Sequence, residues 1–452
     1  MGRLFGTDGV RGVANVGLTC ELALQIGRAA AEVLSTGRRR PVVVVGMDPR
    51  ISSDMLANAL TAGLCSIGAD VIALGVVPTP AVAYLLVKYK ADAGVMVSAS
   101  HNSSEFNGIK IFSGDGYKLP DELEERIETL VLDGHNAALR SCAVGGEIGR
   151  VTIAKNACKD YVDHLKSTVS YSLEGMRLAV DCANGSASAT AVELFSGLGA
   201  TCDFLFHEPN GVNINDNCGS THMEALRRHV LEHGLEAGVA FDGDADRCLM
   251  IDGEGNLFDG DYIMAICARD MKQRGKLNKH TVVGTIMTNL GFIKFCEQND
   301  ISFIATKVGD RFVLEEMLLE EYDFGGEQSG HVIFRDFATT GDGQLTAIQL
   351  LSLLKRQNMQ LSEMADILQR FPQRMVNVTV SPEGRLSFYT DPEVKAAIER
   401  AKQALGKEGR IVVRLSGTEP LVRIMVEGTS AEQIEQLGDE VAATIRERLD
   451  GK

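Results

Sequence analysis

The chain has 452 residues, 45% hydrophobic and 23% charged, which is the usage of a folded globular protein and excludes the disordered and collagen-like classes. Its 45 Lys and Arg stand against 61 Asp and Glu, a formal charge of −16 with no basic run longer than Arg38-Arg39-Arg40. That balance argues against nucleic acid and anionic membranes as partners and leaves an anionic small substrate only where basic residues are gathered locally.

At about 100–200 residues per domain, the length predicts two to four domains. Ten cysteines are scattered singly without a Cys-x-x-Cys pair, the pattern of reduced thiols in a cytoplasmic protein. The start, Met1 to Thr7, has no signal-like apolar run, and Gly6 stands where a myristoylation pattern needs Ser or Thr. No stretch approaches the ~18 apolar residues of a membrane span.

The first unit opens with Pro41-Val42-Val43-Val44-Val45-Gly46, a short apolar run of strand type. A helix is predicted from about Ser53 to Ile67, stopped by Gly68. A second strand follows from Asp70 to Leu74, then a helix opened by Thr79-Pro80, with Pro in the first turn. The third strand, Ala93 to Val97, runs into Ser98-Ala99-Ser100-His101-Asn102.

The second unit repeats this order: a strand from Met176 to Val180, a helix from about Ser188 to Leu198, and a strand from Thr201 to Phe206. Its next helix is expected to open on a capping box, Thr221-x-x-Glu224. The strand Ala237 to Phe241 then delivers Asp242-Gly243-Asp244-Ala245-Asp246-Arg247. In the third unit come a strand Val282 to Thr285, a helix near Leu290 to Gln298, a strand Ile301 to Ala305 and a helix near Phe312 to Glu321. Tyr322-Asp323-Phe324 then leads into Gly325-Gly326-Glu327-Gln328-Ser329-Gly330-His331.

The tail differs. It reads as a strand from Val376 to Val380, a helix from Pro392 to Leu405, and a strand from Arg410 to Arg414. The loop Leu415 to Pro420 leads to a strand Leu421 to Glu427, and a last amphipathic helix starts at Ser430. Boundaries near Gly149, Gly253 and Arg370 divide the chain into 1–149, 150–253, 254–370 and 371–452. The expected fold is α/β: three related domains with mixed, largely parallel sheets, followed by a smaller α+β domain. Ligands of such sheets sit at the carboxyl ends of strands, where each third strand hands over a polar loop.

Asp242-x-Asp244-x-Asp246 is the sharpest chemical signal. In an extended loop alternate residues project to one side, so three carboxylates are expected to converge as an oxygen cage of Mg²⁺ type. An EF-hand reading fails because Arg247 stands where that loop needs Gly and Gly253 where it needs Glu. A phosphatase-type Asp nucleophile loop also follows a strand but usually carries Thr or Val where Asp246 stands.

Ser98 to Asn102 reads either as an ordinary turn or as a nucleophilic, phosphate-carrying Ser100 with His101 beside it. Lys110 could neutralise phosphate or move a proton. A phosphoserine oxygen would complete the cation's shell, so the two loops explain each other. Arg414, Ser416, Gly417, Thr418 and Arg423 look like a phosphate clamp. Glu327, Ser329 and His331 are candidates for bonding sugar hydroxyls or an amine. His229-x-x-Glu232-His233 spells an inverted zinc-protease motif but lies on a polar helix beside Arg227 and Arg228, where a solvated face is the better reading. No ATP or dinucleotide fingerprint is present.

Taken in order, Gly6-Thr7-Asp8-Gly9-Val10-Arg11-Gly12, the Ser-Ala-Ser-His-Asn loop, Asp-Gly-Asp-Ala-Asp-Arg, Gly-Glu-Gln-Ser-Gly-His and Arg-x-Ser-Gly-Thr-Glu-Pro resemble the motifs of the α-D-phosphohexomutases. The resemblance spans residues 3 to about 428. Gln328, where the glucose and mannose branch more often has Met, and Val308-Gly309-Asp310-Arg311 resemble the aminosugar branch.

The resemblance implies four domains around one cleft, the fourth TATA-binding-protein-like, with Ser100 as phosphoserine. One Mg²⁺ per subunit would lie on Ser100, Asp242, Asp244 and Asp246. Arg11, His101, Lys110 and Arg247 would surround the transferring phosphoryl group. Glu327, Ser329 and His331, with Gly309 and Asp310, would meet the sugar. Arg414, Ser416, Gly417, Thr418 and Arg423 would hold the phosphate that does not react, on a fourth domain hinged near Arg370.

The implied reaction converts glucosamine 6-phosphate to glucosamine 1-phosphate through a 1,6-bisphosphate, toward UDP-N-acetylglucosamine, with glucosamine 1,6-bisphosphate as activator. A homodimer is a family-level expectation. Ser103 stands where many members carry Pro, which questions the stiffness of the serine loop. A glucose or mannose phosphomutase, a phosphoserine-dependent phosphatase and a silent phosphosugar-binding protein remain as alternatives.

Overall fold

The computed structural model describes residues 4–6, 8–34, 40–133, 142–416 and 420–449. They build sheets of six, five, four and three strands. The expected threefold repeat is written into the strand order of the first three. In the first sheet the sequence of neighbours is Phe106–Ser113, Ala93–Val97, Val42–Met47, Asp70–Val76. The second sheet has Cys248–Asp252, Ala237–Phe241, Arg177–Asp181, Thr201–Leu205, and the third has Val332–Phe334, Phe324–Gly326, Thr281–Thr285, Ser302–Thr306.

Each third strand therefore lies parallel to the first strand of its unit and antiparallel to a return strand, as in the pairs Val44↔Gly94 and Val97↔Ile109. The functional loops are the reversals between third strand and return strand. All residues of the third strands are buried. Such two-sided burial explains why their sequences are continuously apolar or small instead of alternating.

The second residue of each third strand is glycine, because a Cβ there would strike the packing helix. It would lie 2.8 Å from Leu86 at Gly94, 2.8 Å from Val230 at Gly238 and 2.9 Å from the Met317 sulfur at Gly325. Close approach of helix to sheet is thus repeated three times.

The tail forms an antiparallel sheet, Gln373–Thr379, Leu421–Gly428, Gly409–Leu415, covered by helices Pro392–Leu405 and Ala431–Arg448. One expected feature is corrected. The helix of the second unit runs Glu224–His233 with Met223 at its N-cap and no side-chain cap, while Thr221 ends a preceding 3-10 turn, Gly219–Thr221. Asp181 holds the Gly219 N–H at 2.9 Å, which pins that turn to the sheet end and delays the helix.

One apolar core runs through the first three units, including Leu85, Phe112, Tyr161, Phe195, Phe241, Phe258, Phe292 and Phe324. The fourth unit has its own core around Val378, Val422, Ile424, Val426 and Ile445. It meets the third through polar contacts. Asn289 and Phe371 exchange two hydrogen bonds of 3.0 Å. The buried Glu427 accepts from Leu290 N at 3.0 Å, Gln373 Nε2 at 3.0 Å and Arg410 Nε at 2.6 Å. Among the described residues no helix is long and apolar enough to cross a membrane, and all ten cysteines are free thiols.

Candidate active site

Ser100 sits at the tip of the first reversal with φ +51°, a left-handed conformation uncommon outside glycine. Its N–H donates to Ser98 Oγ at 3.0 Å, and Ser98 Oγ donates to Asp48 at 2.6 Å. The Ser100 hydroxyl donates to Asp242 Oδ2 at 2.6 Å, and His101 Nδ1 lies 3.4 Å from it. First and second units thus meet at one oxygen.

The three aspartates converge, but not through an extended loop. The Ala245 N–H donates to the Asp242 carbonyl at 3.0 Å and Ala245 has φ +58°, so a tight turn folds the carboxylates together. Asp242, Asp244 and Asp246 are all buried, with ligand oxygens within 4.8 Å of one another. Asp244 Oδ1 and Asp246 Oδ1 are buried without a hydrogen-bond partner. An all-oxygen, anionic set with two orphaned buried acceptors is the donor chemistry of a hard divalent cation.

The surrounding charges are arranged to match. Lys110 Nζ lies 2.9 Å from Asp244, 3.0 Å from Asp8 and 3.7 Å from Asp246. Burial alone would lower its pKa, but Asp244, Asp8 and Asp246 outweigh it and hold the ammonium firmly charged. Burial, with Asp246 and Asp244 adding to it, pushes the Asp242 carboxyl well above the usual range. Burial would also raise Asp246, yet Lys110, His331 and Arg247 hold it below that range. His101 is pushed down to about 4, first by burial and then by Arg247 and Arg11, so its imidazole is neutral at physiological pH.

Arg11 donates to Asn102 Oδ1 at 2.9 Å and to the Ala99 carbonyl at 3.4 Å, and pairs with Asp8. Arg247 donates its backbone N–H to Asp242 Oδ1 at 3.2 Å, with Nε 3.8 Å from Asp246.

In the third reversal, Glu327 Oε1 accepts the Gly309 N–H at 3.0 Å, and Ser329 Oγ is buried without a partner. His331 Nε2 accepts the Gly341 N–H at 3.0 Å, which leaves Nδ1 to face Asp246 at 3.6 Å. Asp310 is bound to Lys118 at 2.5 Å. Two residues of the aminosugar-like pattern point elsewhere. Gln328 Nε2 donates to Asp259 at 3.4 Å, and Arg311 engages Asp121, Glu124 at 3.4 Å and Glu315 at 3.0 Å. Arg311 thereby ties the third unit to the first.

On the fourth sheet, Arg414 and Arg423 are directly opposed across an antiparallel pair. Burial and the facing Arg423 lower the Arg414 pKa. Ser416 is buried, and its carbonyl accepts from Arg385 at 3.1 Å. Gly417 and Thr418 lie outside the described residues.

Sequence reasoning missed several members. Asp8 lay inside a quoted motif and bridges Arg11, Lys110 and Lys118; its signal was Gly9, at φ +79° against the Ile109 carbonyl. Lys118, between Asp8 and Asp310, had no local signal. Thr79, read only as a helix start, donates from its hydroxyl to Asp244 Oδ2 at 2.7 Å and from its N–H to the Asp244 carbonyl at 2.9 Å. His229 stacks on His233 at 4.0 Å and meets Asp203 at 2.8 Å, a helix-surface contact far from any zinc geometry.

Family models for phosphoglucomutase/phosphomannomutase match along the chain: alpha/beta/alpha domain I at 2–138, domain II at 159–255, domain III at 259–371 and the C-terminal domain at 375–444. Phosphoglucosamine mutase of Clostridium tetani (strain Massachusetts / E88) is 50% identical over 448 residues, 99% of this chain and 100% of that protein. A solved phosphoglucomutase/phosphomannomutase family protein from Burkholderia thailandensis superposes with a TM-score of 0.82 at 22% identity, covering 99% and 98% of the two chains. N-acetylphosphoglucosamine mutase of Aspergillus fumigatus, solved with GlcNAc-6P and magnesium, gives 0.69 at 18% identity over 99% and 96%. With four domains matched in order and half of all residues shared with a full-length relative, the chain belongs to the phosphoglucosamine mutases of the phosphohexomutase family.

Proposed function

We propose that this protein interconverts glucosamine 6-phosphate and glucosamine 1-phosphate, with Ser100 carrying the phosphoryl group. The observation that supports this most is the 2.6 Å contact of the Ser100 hydroxyl with Asp242, at the edge of a buried carboxylate cluster that has unsatisfied oxygens. Asp242, Asp244 and Asp246 would hold one Mg²⁺ per subunit, which when bound neutralises charge on the transferring phosphoryl group.

In the first half-reaction the Ser100 Oγ–P bond breaks and a P–O bond forms to the free sugar hydroxyl, whose proton must leave. The neutral His101 imidazole beside Ser100 Oγ is suited to accept it. Arg11, Lys110 and Arg247 oppose the charge on the phosphoryl oxygens. The product, glucosamine 1,6-bisphosphate, returns its other phosphoryl group to Ser100, and added bisphosphate activates enzyme that has lost its phosphate. Phosphoryl transfer needs mainly positioning and charge neutralisation, which this ring of fixed charges supplies.

Glu327, Ser329 and His331, with the Gly309-Asp310 loop, would bind the sugar. Arg414, Ser416, Gly417, Thr418 and Arg423 would grip the phosphate that is not reacting, in either orientation of the sugar. Ten free thiols fit a cytoplasmic enzyme.

³¹P NMR of phosphorylated protein with Mg²⁺ tests the reading, with glucosamine 6-phosphate and glucose 6-phosphate run separately, each with a trace of its bisphosphate. Much faster formation of glucosamine 1-phosphate is expected, and Ser100→Ala should lose nearly all of it while staying folded. Preference for glucose would move the chain to the hexose branch, and free phosphate from both sugars would overturn the mutase reading.

A further inference from the structure

Ser100 has a strained backbone, and the groups that hold it come from two domains. Arg50 is wholly buried, with its Nε 2.8 Å from the equally buried Asp48. Its Nη2 donates to the carbonyls of Ser100 and Asn102, both at 2.8 Å. Its Nη1 donates to the carbonyls of Ser103 and of Phe106, the latter at 3.0 Å. One guanidinium therefore gathers four carbonyls of the serine loop.

From the second unit, Asn215 Nδ2 donates to the Ser100 and Asn102 carbonyls at 2.9 Å each. Gly243, inside the aspartate loop, lies so close that a Cβ on it would come within 2.5 Å of the Ser100 carbonyl. The Ser100 carbonyl is thus fixed by Arg50 on one side and by the second unit on the other, at the residue that a left-handed φ otherwise disfavours.

We infer that Arg50 and Asn215 are positioning residues that hold Ser100 at positive φ, so that its Oγ points at Asp242; this rests on reading Ser100 as the phosphoryl carrier. Arg50 supplies the stiffness that a proline at position 103 would give by covalent means. Asn215 makes that conformation conditional on docking of the second unit. Nucleophile and metal loop are aligned by the same contact.

Arg50 is wholly buried and its removal would strand the buried Asp48, which endangers folding, so Asn215→Ala is the informative variant and Arg50→Lys the second. Single-turnover transfer from ³²P-labelled enzyme to glucosamine 6-phosphate should slow about 10–100-fold in Asn215→Ala. KM and Mg²⁺ affinity should stay within about twofold, because the Asn215 side chain donates to main-chain carbonyls of the serine loop and to no carboxylate of the aspartate loop. Arg50→Lys should slow transfer further, since an ammonium cannot serve four carbonyls. Wild-type transfer rates in Asn215→Ala, or kcat and Mg²⁺ affinity falling together, would overturn the inference.

A conformational arm stands apart from activity. Glycine tolerates positive φ and alanine does not, so Ser100→Gly should melt above Ser100→Ala in the parent protein. That gap should close or reverse when Asn215→Ala is added. A gap unaffected by Asn215→Ala sinks the inference even in protein that never carries phosphate. Failed transfer in the parent protein with the expected melting pattern would instead count against the functional reading alone.

Discussion

Replacing Lys110 by Met keeps the aliphatic stem and deletes an ammonium that lies 2.9 Å from Asp244, 3.0 Å from Asp8 and 3.7 Å from Asp246, with 3% of the side chain exposed. Asp8 retains Lys118 at 2.7 Å and Arg11, and Asp244 retains the Thr79 hydroxyl at 2.7 Å. Removing one member of a buried ion pair costs about 3–5 kcal/mol, and the surviving partners place this case near ~3 kcal/mol. A divalent cation on the aspartates supplies part of the lost charge, so saturating Mg²⁺ should restore about half of that stability. The same carboxylates, relieved of a competing cation, should bind Mg²⁺ about tenfold more tightly, ~1.4 kcal/mol. Urea unfolding in EDTA and in Mg²⁺, with calorimetric titration of the ion, measures both effects. The mutase rate should still fall by about 10²–10³, because the charge facing the phosphoryl oxygens is gone. Equal stability of variant and parent in EDTA, or a deficit that Mg²⁺ leaves untouched, refutes the claim that Lys110 balances the aspartates.

Asp342 offers a pH test. Its Oδ1 accepts the Leu345 N–H at 2.9 Å, its Oδ2 accepts the Tyr161 hydroxyl at 2.7 Å, and burial pushes the carboxyl up to about 6 from its ordinary 3.8. Folded protein then holds the extra proton between those values, so this group favours the fold as pH drops from 6 toward 4 and penalises it above 6. Asp342→Asn can keep the Leu345 N–H bond on Oδ1 and donate from Nδ2 to the Tyr161 oxygen, and it should be more stable than the parent by ~2–3 kcal/mol at pH 8, the advantage vanishing near pH 4; a difference independent of pH in denaturation curves would contradict this. Glu427→Gln weakens the contacts to Arg410 and Leu290, so limited proteolysis near residues 368–373 should accelerate and KM should rise about three- to tenfold with kcat changed less. An unchanged KM would separate that joint from substrate grip.

Much of the site was readable because each functional loop follows a buried strand, where an abrupt change from apolar to polar residues stands out. Asp242 to Arg247 after Ala237–Phe241 is the clearest case, and Ser98 to Asn102 after Ala93–Val97 repeats it. The shape of the aspartate loop was not readable, since nothing in Asp-Ala-Asp announces a left-handed Ala245. Thr79, Arg50, Asn215 and Lys118 were missed for a common reason. Each sits in an ordinary turn or element end, and its partner lies 50 to 192 residues away. Gln328 and Arg311 belong to the pattern that resembles the aminosugar branch, and that pattern did not announce their partners within the fold. Both side chains are engaged by Asp259 or by the helix Asp121–Leu132.

The division of apolar cores bears on how one site can accept a sugar in two orientations. The first three units share a continuous core, so Ser100, the aspartates and Glu327 are carried on surfaces whose relative movement would open buried apolar packing. The fourth unit closes its own core and joins the third through Asn289, Glu427 and Arg410, polar contacts that water can replace when they part. Displacing Arg414 and Arg423 therefore costs far less than displacing the reacting groups. On the proposed function, a phosphate held by Arg414 and Arg423 would be free to loosen while the bisphosphate turned over, with Ser100 and the aspartates fixed relative to one another.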